Sequence, residues 1–102
     1  MSSSAANRLA GKTIVITGAS SGIGRSTAFE FARTCPQRLR LILTARRIDS
    51  LKQVARDIVD EISEGVKVLP VQLDVSNPEQ VSGFVDTLPD EWRDIDILIN
   101  NA

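Results

Sequence analysis

Two hydrophobic patterns alternate along this chain, and their alternation leaves few folds open to it. Four apolar, β-branched runs have the length of buried strands: residues 13–17, 39–45, 66–73 and 95–99. Between them, apolar residues recur at helical spacing over residues 28–35, 51–62 and 81–88. Helices that alternate with strands require parallel strand pairing with right-handed crossovers. The order β-α-β-α-β-α-β therefore predicts a doubly wound α/β sheet.

Punctuating residues mark the ends of these elements. Pro70 interrupts the third apolar run, which predicts either an edge strand or an N–H position that faces outward, because proline cannot donate to a sheet ladder. Ser76, followed three residues later by Glu79, is typical of a capping box that opens the third helix. Pro36 and Pro89 follow the first and third helical stripes, where helices usually stop.

The composition of the 102 residues is that of one small globular domain. A net charge of −1 gives no reason to expect a nucleic acid or an anionic membrane as partner. The single cysteine, Cys35, excludes an internal disulfide, lies on an apolar stripe and is expected in the core. Residues 1–12 predict a short flexible tail rather than a secretory signal or membrane span, and residues 13–102 the domain. We predict a cytoplasmic location and no metal site.

Three glycines are concentrated where the first strand meets the first helix, in V-I-T-G-A-S-S-G-I-G over residues 15–24. A helix N-terminus presents unpaired N–H groups and the positive end of the dipole, which suit a pyrophosphate. We expect Gly18 to turn with positive φ, Gly22 to let backbone approach the phosphates, and Gly24 to pack the helix close to the strand. The alternative is a tight turn without a ligand. No Lys-Ser/Thr pair follows the glycines, which argues against a P-loop.

Three motifs in order resemble the short-chain dehydrogenase/reductase family. T-G-A-S-S-G-I-G, residues 17–24, is similar to its cofactor motif T-G-x-x-x-G-I-G rather than to G-x-G-x-x-G. L-D-V at residues 73–75 and N-N-A at residues 100–102 resemble the family's L-D-V and the start of its N-N-A-G. The resemblance extends from residue 13 onward and implies a Rossmann domain. Residues 41–51, L-I-L-T-A-R-R-I-D-S-L, further resemble the NADP-dependent 3-hydroxy acid (serine-type) dehydrogenases.

The end of the second strand predicts the cofactor. NAD-binding domains carry an acidic residue there for the ribose hydroxyls, whereas this chain has Arg46 and Arg47 and no carboxylate before Asp49. An arginine pairs with the 2′-phosphate of NADP, and one charge-assisted contact of about 1.5–3 kcal/mol favours NADP roughly tenfold to a hundredfold. Arg46 is the first choice, and Arg47 shares the phosphate or lies over the adenine. The alternative is a solvated basic loop. The basic residue that NADP enzymes of the family often carry before the middle glycine is replaced by Ser21, so Ser20 or Ser21 would donate a hydroxyl instead.

The resemblance assigns further contacts. It implies that Asp74 accepts from the adenine amino group, unless Asp74 is a turn residue, and that Asn100 contacts the ribose or ties the fourth strand to its neighbours, mostly through backbone. Thr17 is expected to brace the glycine turn, and Arg25 either helps the cofactor or lies on the helix surface. The predicted cofactor-binding set is Gly18, Ser20, Ser21, Gly22, Ile23, Gly24, Arg46, Arg47, Asp74, Val75, Asn100 and Ala102.

Reduction of a carbonyl also needs groups that protonate the alkoxide. In the family a Ser and a Tyr-x-x-x-Lys pair lie downstream of N-N-A-G, and this sequence has no tyrosine. We therefore predict no catalytic residue here, and expect an NADP-binding N-terminal part, truncated after the fourth strand, of an enzyme that exchanges hydride between NADP(H) and an alcohol/carbonyl substrate. Full-length relatives are expected to be homo-oligomeric. The alternatives are a non-catalytic NADP-binding or interaction module, pairing through its exposed fourth strand, and a fragment without a stable fold.

Overall fold

The computed structural model describes residues 8–101 and contains one four-stranded parallel sheet. The strands are β1 (Thr13–Thr17), β2 (Leu39–Ala45), β3 (Val66–Gln72) and β4 (Ile97–Ile99). The helices are α1 (Gly22–Thr34), α2 (Ile48–Glu61) and α3 (Pro78–Gly83), followed by 3-10 turns at Val85–Thr87 and Asp90–Trp92. The strand order β3-β2-β1-β4 confirms the predicted doubly wound α/β arrangement.

The two edges of the sheet differ. β3 forms one edge, which confirms the prediction from Pro70, and β4 forms the other, with the Leu98 side chain 64% exposed. β4 begins at Ile97, two residues later than predicted, because Asp96 uses its side chain for strand pairing. The backbone N–H of Asp96 donates to the Thr13 carbonyl (2.9 Å), and its carboxylate accepts from the Thr13 N–H (2.9 Å).

The core has two layers because the buried central strands alternate their side chains between the faces of the sheet. The larger cluster packs helix residues such as Ala28 and Val54 against Ile14 and Leu41. Cys35 belongs to this cluster, as predicted. A smaller cluster covers the opposite face and contains Val15, Ile42, Leu88 and Trp92.

The third helix is shorter than the apolar stripe predicted. The capping-box prediction is wrong: Asn77 is the N-cap, and its side chain accepts from the N–H groups of Glu79 and Gln80. The helix ends at Gly83, and the chain continues as a 3-10 turn. Leu88 is nevertheless buried, so the apolar stripe marks core residues that are not all held on one helix.

The stretch before β1 is partly within the described residues. Leu9 and Ala10 pack against the larger cluster, and the Gly11 N–H donates to the Arg38 carbonyl (2.6 Å). Residues 1–7 lie outside the described part, so the flexible tail over residues 1–12 stays a prediction. None of the helices described between residues 8 and 101 is long and apolar enough to cross a membrane.

Candidate functional site

The glycine turn has the backbone geometry that its sequence predicts. Gly18 and Gly22 adopt φ values of +61° and +58°, in the left-handed region that favours glycine. A Cβ on Gly24 would lie 2.7 Å from the Gly18 carbonyl carbon and 3.0 Å from the Ala19 Cα. Among the described residues, no atom lies within 4 Å of the position that a Cβ on Gly22 would occupy. The backbone at Gly22 is therefore open to a ligand.

Within residues 8–101, no side chain caps the N-terminus of α1. Ser21 occupies the N-cap position but makes no side-chain capping bond, and the first turn contains no acidic residue. By contrast, Asn77 caps α3 with two accepted hydrogen bonds. The positive end of the 13-residue helix α1 is therefore available to an anion.

A cleft of about 790 Å³ opens at the carboxyl ends of β1, β2 and β3. The fold places ligands at this edge of a doubly wound sheet. The lining residues come from the glycine turn, the β2–α2 junction and the β3–α3 loop: Gly18, Ser20, Ser21, Ala45, Arg46, Arg47, Ser50, Leu73, Asp74, Val75 and Ser76. The lining thus brings together seven of the predicted cofactor residues, with two arginines and a single carboxylate.

The remaining predicted residues do not line this cleft. Gly22 and Ile23 line a separate depression along the outer face of α1, and Gly24 is buried at the turn. Asn100 borders an apolar cavity of about 490 Å³ on the α3 face of the sheet. Ala102 lies outside the described residues. No group of three or more potential metal ligands occurs within residues 8–101.

Asp74 is fixed by the residues that follow it. Its Oδ1 accepts from the Ser76 N–H (3.0 Å) and from the Ser76 hydroxyl (2.6 Å). These two bonds, first that of the hydroxyl, hold the pKa of Asp74 below its usual value, and the charge of Arg46 lowers it further. The carboxylate is therefore ionised at neutral pH. Any stability that it contributes is present above the usual carboxyl pKa and is lost as the pH falls through the lowered pKa.

Three of the polar residues considered from the sequence make contacts within the protein. The hydroxyl of Thr17 donates to Oδ1 of Asn100 (2.9 Å) and accepts from the N–H of Asn101 (2.9 Å), so it joins β1 to the residues after β4. The side chain of Asn100 makes this tie; its contact with a ribose stays a prediction. Arg25 lies over the Phe29 ring, 4.4 Å from its centroid, and pairs with Asp57 on α2 (3.4 Å), which places it on the helix surface.

Sequence reasoning missed Gln72, which closes the β2–α2 junction from the neighbouring strand. Its Nε2 donates to the backbone carbonyl of Arg46 (2.9 Å). The bond depends on the register of β2 and β3, in which Gln72 lies opposite Ala45. A strand-length apolar run does not reveal this register, so no sequence signal pointed to Gln72. Ser50, in the first turn of α2, also lines the cleft and was not predicted.

The chain is similar to known proteins in sequence and in structure. The chain is 51% identical over 96 residues to the NADP-dependent 3-hydroxy acid dehydrogenase of Schizosaccharomyces pombe, covering 94% of this chain and 36% of the relative. It is similar to the L-sorbose reductase of Gluconobacter frateurii, solved with NADPH and L-sorbose, with a TM-score of 0.79 and 40% identity over 92% of this chain and 34% of that one. A short-chain dehydrogenase from Sphingobium yanoikuyae in complex with NADPH superposes with a TM-score of 0.72 and 41% identity, over 89% and 34% of the two chains.

These relatives are longer than the present chain, which spans about a third of their length. The sequence profile described as short chain dehydrogenase matches residues 12–102. The matched region includes the glycine turn and the arginines after β2, and the resemblance stated from the three motifs is confirmed. The chain therefore belongs to the short-chain dehydrogenase family.

Proposed function

We propose that this chain is the NADP-binding part of an oxidoreductase that transfers hydride between NADP(H) and an alcohol or carbonyl substrate. The observation that carries the proposal is the cleft beside the uncapped α1 helix, whose lining has two arginines and a single carboxylate. Relatives support it: two solved structures contain NADPH, and the S. pombe relative is an NADP-dependent 3-hydroxy acid dehydrogenase. A 3-hydroxy acid such as serine is the proposed substrate of the whole enzyme.

The pyrophosphate would lie at the glycine turn. There the open backbone at Gly22 and the first N–H groups of α1, which no side chain within residues 8–101 caps, offer hydrogen-bond donors. Ser20 and Ser21 line the cleft and add two hydroxyl donors. Because a helix dipole and backbone N–H groups bind any phosphate, this part of the site does not distinguish NADP from NAD.

Arg46 and Arg47 would distinguish them. Both are exposed, line the cleft and follow β2, so the 2′-phosphate of a bound adenosine would meet positive charge. Asp49, the nearest carboxylate along the chain, lies outside the lining. The lining therefore favours a phosphate over the two free ribose hydroxyls of NAD.

Asp74 and Val75 would hold the adenine. Ser76 occupies Oδ1 of Asp74, and no hydrogen bond within the described residues uses Oδ2, which can accept from the adenine amino group. Val75 is 40% exposed and offers an apolar surface to the ring. Because the Ser76 bonds already fix the carboxylate, little further side-chain entropy is lost when the base binds.

The bound cofactor would supply the hydride, and the residues described here would bind and orient it. None of the 102 residues is assigned a catalytic role, and the sequence contains no tyrosine. We therefore propose that this chain by itself has no NADP-dependent turnover. Detectable turnover by the purified chain would contradict this part of the proposal.

The test replaces Arg46 by Asp and uses Arg56→Asp as control. Arg56 is exposed on α2 and bonds only to Gln53 among the described residues. Arg56→Asp therefore makes the same change of charge at a position outside the cleft lining. Titrations with NADPH and NADH, followed by intrinsic or cofactor fluorescence, give both dissociation constants. We expect Arg46→Asp to weaken NADPH binding roughly tenfold to a hundredfold and not to weaken NADH binding. An unchanged NADPH/NADH ratio would show that Arg46 does not bind the 2′-phosphate.

A further inference from the structure

Four consecutive backbone carbonyls form the β2–α2 junction, residues 44–47, and each accepts from a different part of the fold. The Thr44 carbonyl accepts from Ala19 N–H in the glycine turn (3.0 Å), and the Ala45 carbonyl from Leu73 N–H (2.9 Å). The Arg47 carbonyl accepts from Leu51 N–H within α2 (3.2 Å). These three donors are backbone groups, which the fold supplies whatever side chains are present.

The carbonyl of Arg46 has a side-chain donor instead. Nε2 of Gln72 reaches it across the sheet at 2.9 Å. The orientation of the amide is unambiguous, because a backbone carbonyl only accepts and Oε1 cannot donate to it. Gln72 lies at the end of β3, opposite Ala45, and its side chain reaches Arg46, one residue past the last paired residue of β2.

We propose that Gln72 is a positioning residue that holds the peptide of Arg46, and that through Arg46 it sets part of the preference of the cleft for NADP over NAD. This inference rests on the proposed function. The Arg46 side chain is exposed, so the direction in which it leaves the chain depends on how firmly its own peptide is held. A peptide without the Gln72 bond is free to rotate, and the guanidinium then samples positions away from the cleft.

The position of Arg46 also matters for its neighbour across the cleft. Asp74 follows Gln72 by two residues, and the charge of Arg46 helps to lower the Asp74 pKa. Residues at the end of β3 thus act on Arg46 in two ways, through a hydrogen bond to its backbone and through a charge that attracts its side chain.

The test compares Gln72→Met, which keeps the length of the side chain and removes the donor, with Gln53→Met on the exposed face of α2. The amide of Gln53 bonds to Asp57 and Arg56 within the helix, so this control removes similar surface bonds away from the cleft. The ligands are 2′,5′-ADP (adenosine 2′,5′-bisphosphate) and 5′-AMP, which differ only in the 2′-phosphate. The readouts are the ratio of their dissociation constants and the carbonyl carbon chemical shift of Arg46.

We expect Gln72→Met to reduce the preference for 2′,5′-ADP about two- to fivefold, the effect of one exposed hydrogen bond, and to shift the Arg46 carbonyl resonance. Affinity for 5′-AMP should stay the same in both variants, and any loss of thermal stability should be no larger in Gln72→Met than in Gln53→Met. In an Arg46→Ala background, Gln72→Met should have no further effect on the ratio.

Three results would overturn the inference, each in a different way. If the unmodified chain prefers 2′,5′-ADP and Gln72→Met leaves the ratio unchanged, the inference is wrong and the proposed function stands. If the unmodified chain shows no preference for 2′,5′-ADP, the assignment of Arg46 fails, and the positioning role of Gln72 fails with it. A Gln72→Met variant that weakens both ligands equally would show a structural role alone.

Discussion

Gly24→Ala tests whether the glycine turn is built on close contact between α1 and β1. The added methyl carbon would lie 2.7 Å from the Gly18 carbonyl carbon and 3.0 Å from the Ala19 Cα. Both neighbours are backbone atoms, so neither can move aside as the end of a flexible side chain does. The turn itself must shift, and with it the start of α1.

The expected cost follows from this overlap. Overpacking of a tight site costs about 1–3 kcal/mol, and the rigidity of the backbone here places Gly24→Ala at the upper end. In a domain of about 100 residues, 1 kcal/mol shifts Tm by about 4–8 °C. We therefore expect Gly24→Ala to lower Tm by about 12–24 °C and to lower the urea midpoint without changing the slope.

Two matched substitutions separate packing from backbone strain. Gly22→Ala meets no atom within 4 Å but requires φ near +58°, so it should cost about 1–2 kcal/mol through strain alone. A Cβ on Gly83 would meet no atom within 4 Å, and Gly83 has no positive φ. Because Gly83 lies in α3, Gly83→Ala should raise the free energy of unfolding by up to about 1 kcal/mol. A Gly24→Ala variant as stable as the unmodified chain would refute the close-packing argument.

Two further predictions concern stability and ionisation. Thr44 is fully buried and its hydroxyl has no hydrogen-bond partner within the described residues, so Thr44→Val should raise the free energy of unfolding by about 1–3 kcal/mol in urea titrations; a lower value would reveal a partner of that hydroxyl. Ser76→Ala removes the hydroxyl that chiefly lowers the Asp74 pKa, so an NMR titration of the Asp74 carboxyl carbon should show a higher pKa than in the unmodified chain; an unchanged pKa would contradict the hydrogen-bond cause.

The central strands could be predicted from the sequence because burial on both faces leaves a continuous apolar run. The predicted bounds of β1 and β2 coincide with the observed ones, whereas β4 was predicted too long. There the carboxylate of Asp96 accepts the hydrogen bond from the Thr13 N–H that a strand carbonyl would otherwise accept. A pattern of apolar residues does not reveal where a side chain replaces a backbone carbonyl in strand pairing.

The site was predictable where local geometry determines it. The glycine spacing gave the positive φ at Gly18 and the close approach at Gly24, because both follow from a strand that turns directly into a helix. The bond from Gln72 to Arg46 was not predictable, since it depends on the register of two strands. The binding roles of the predicted residues stay predictions that ligand titrations must test.

Selection of NADP is tested most directly by titrating this chain with 2′,5′-ADP and with 5′-AMP, followed by calorimetry or by NMR. These ligands carry the adenosine half of the cofactor, which the described cleft is proposed to hold. We expect 2′,5′-ADP to bind at least about tenfold more tightly, with resonance shifts at Gly18, Arg46 and Asp74. Equal affinities, or resonance shifts away from this cleft, would contradict the central claim that the chain selects NADP.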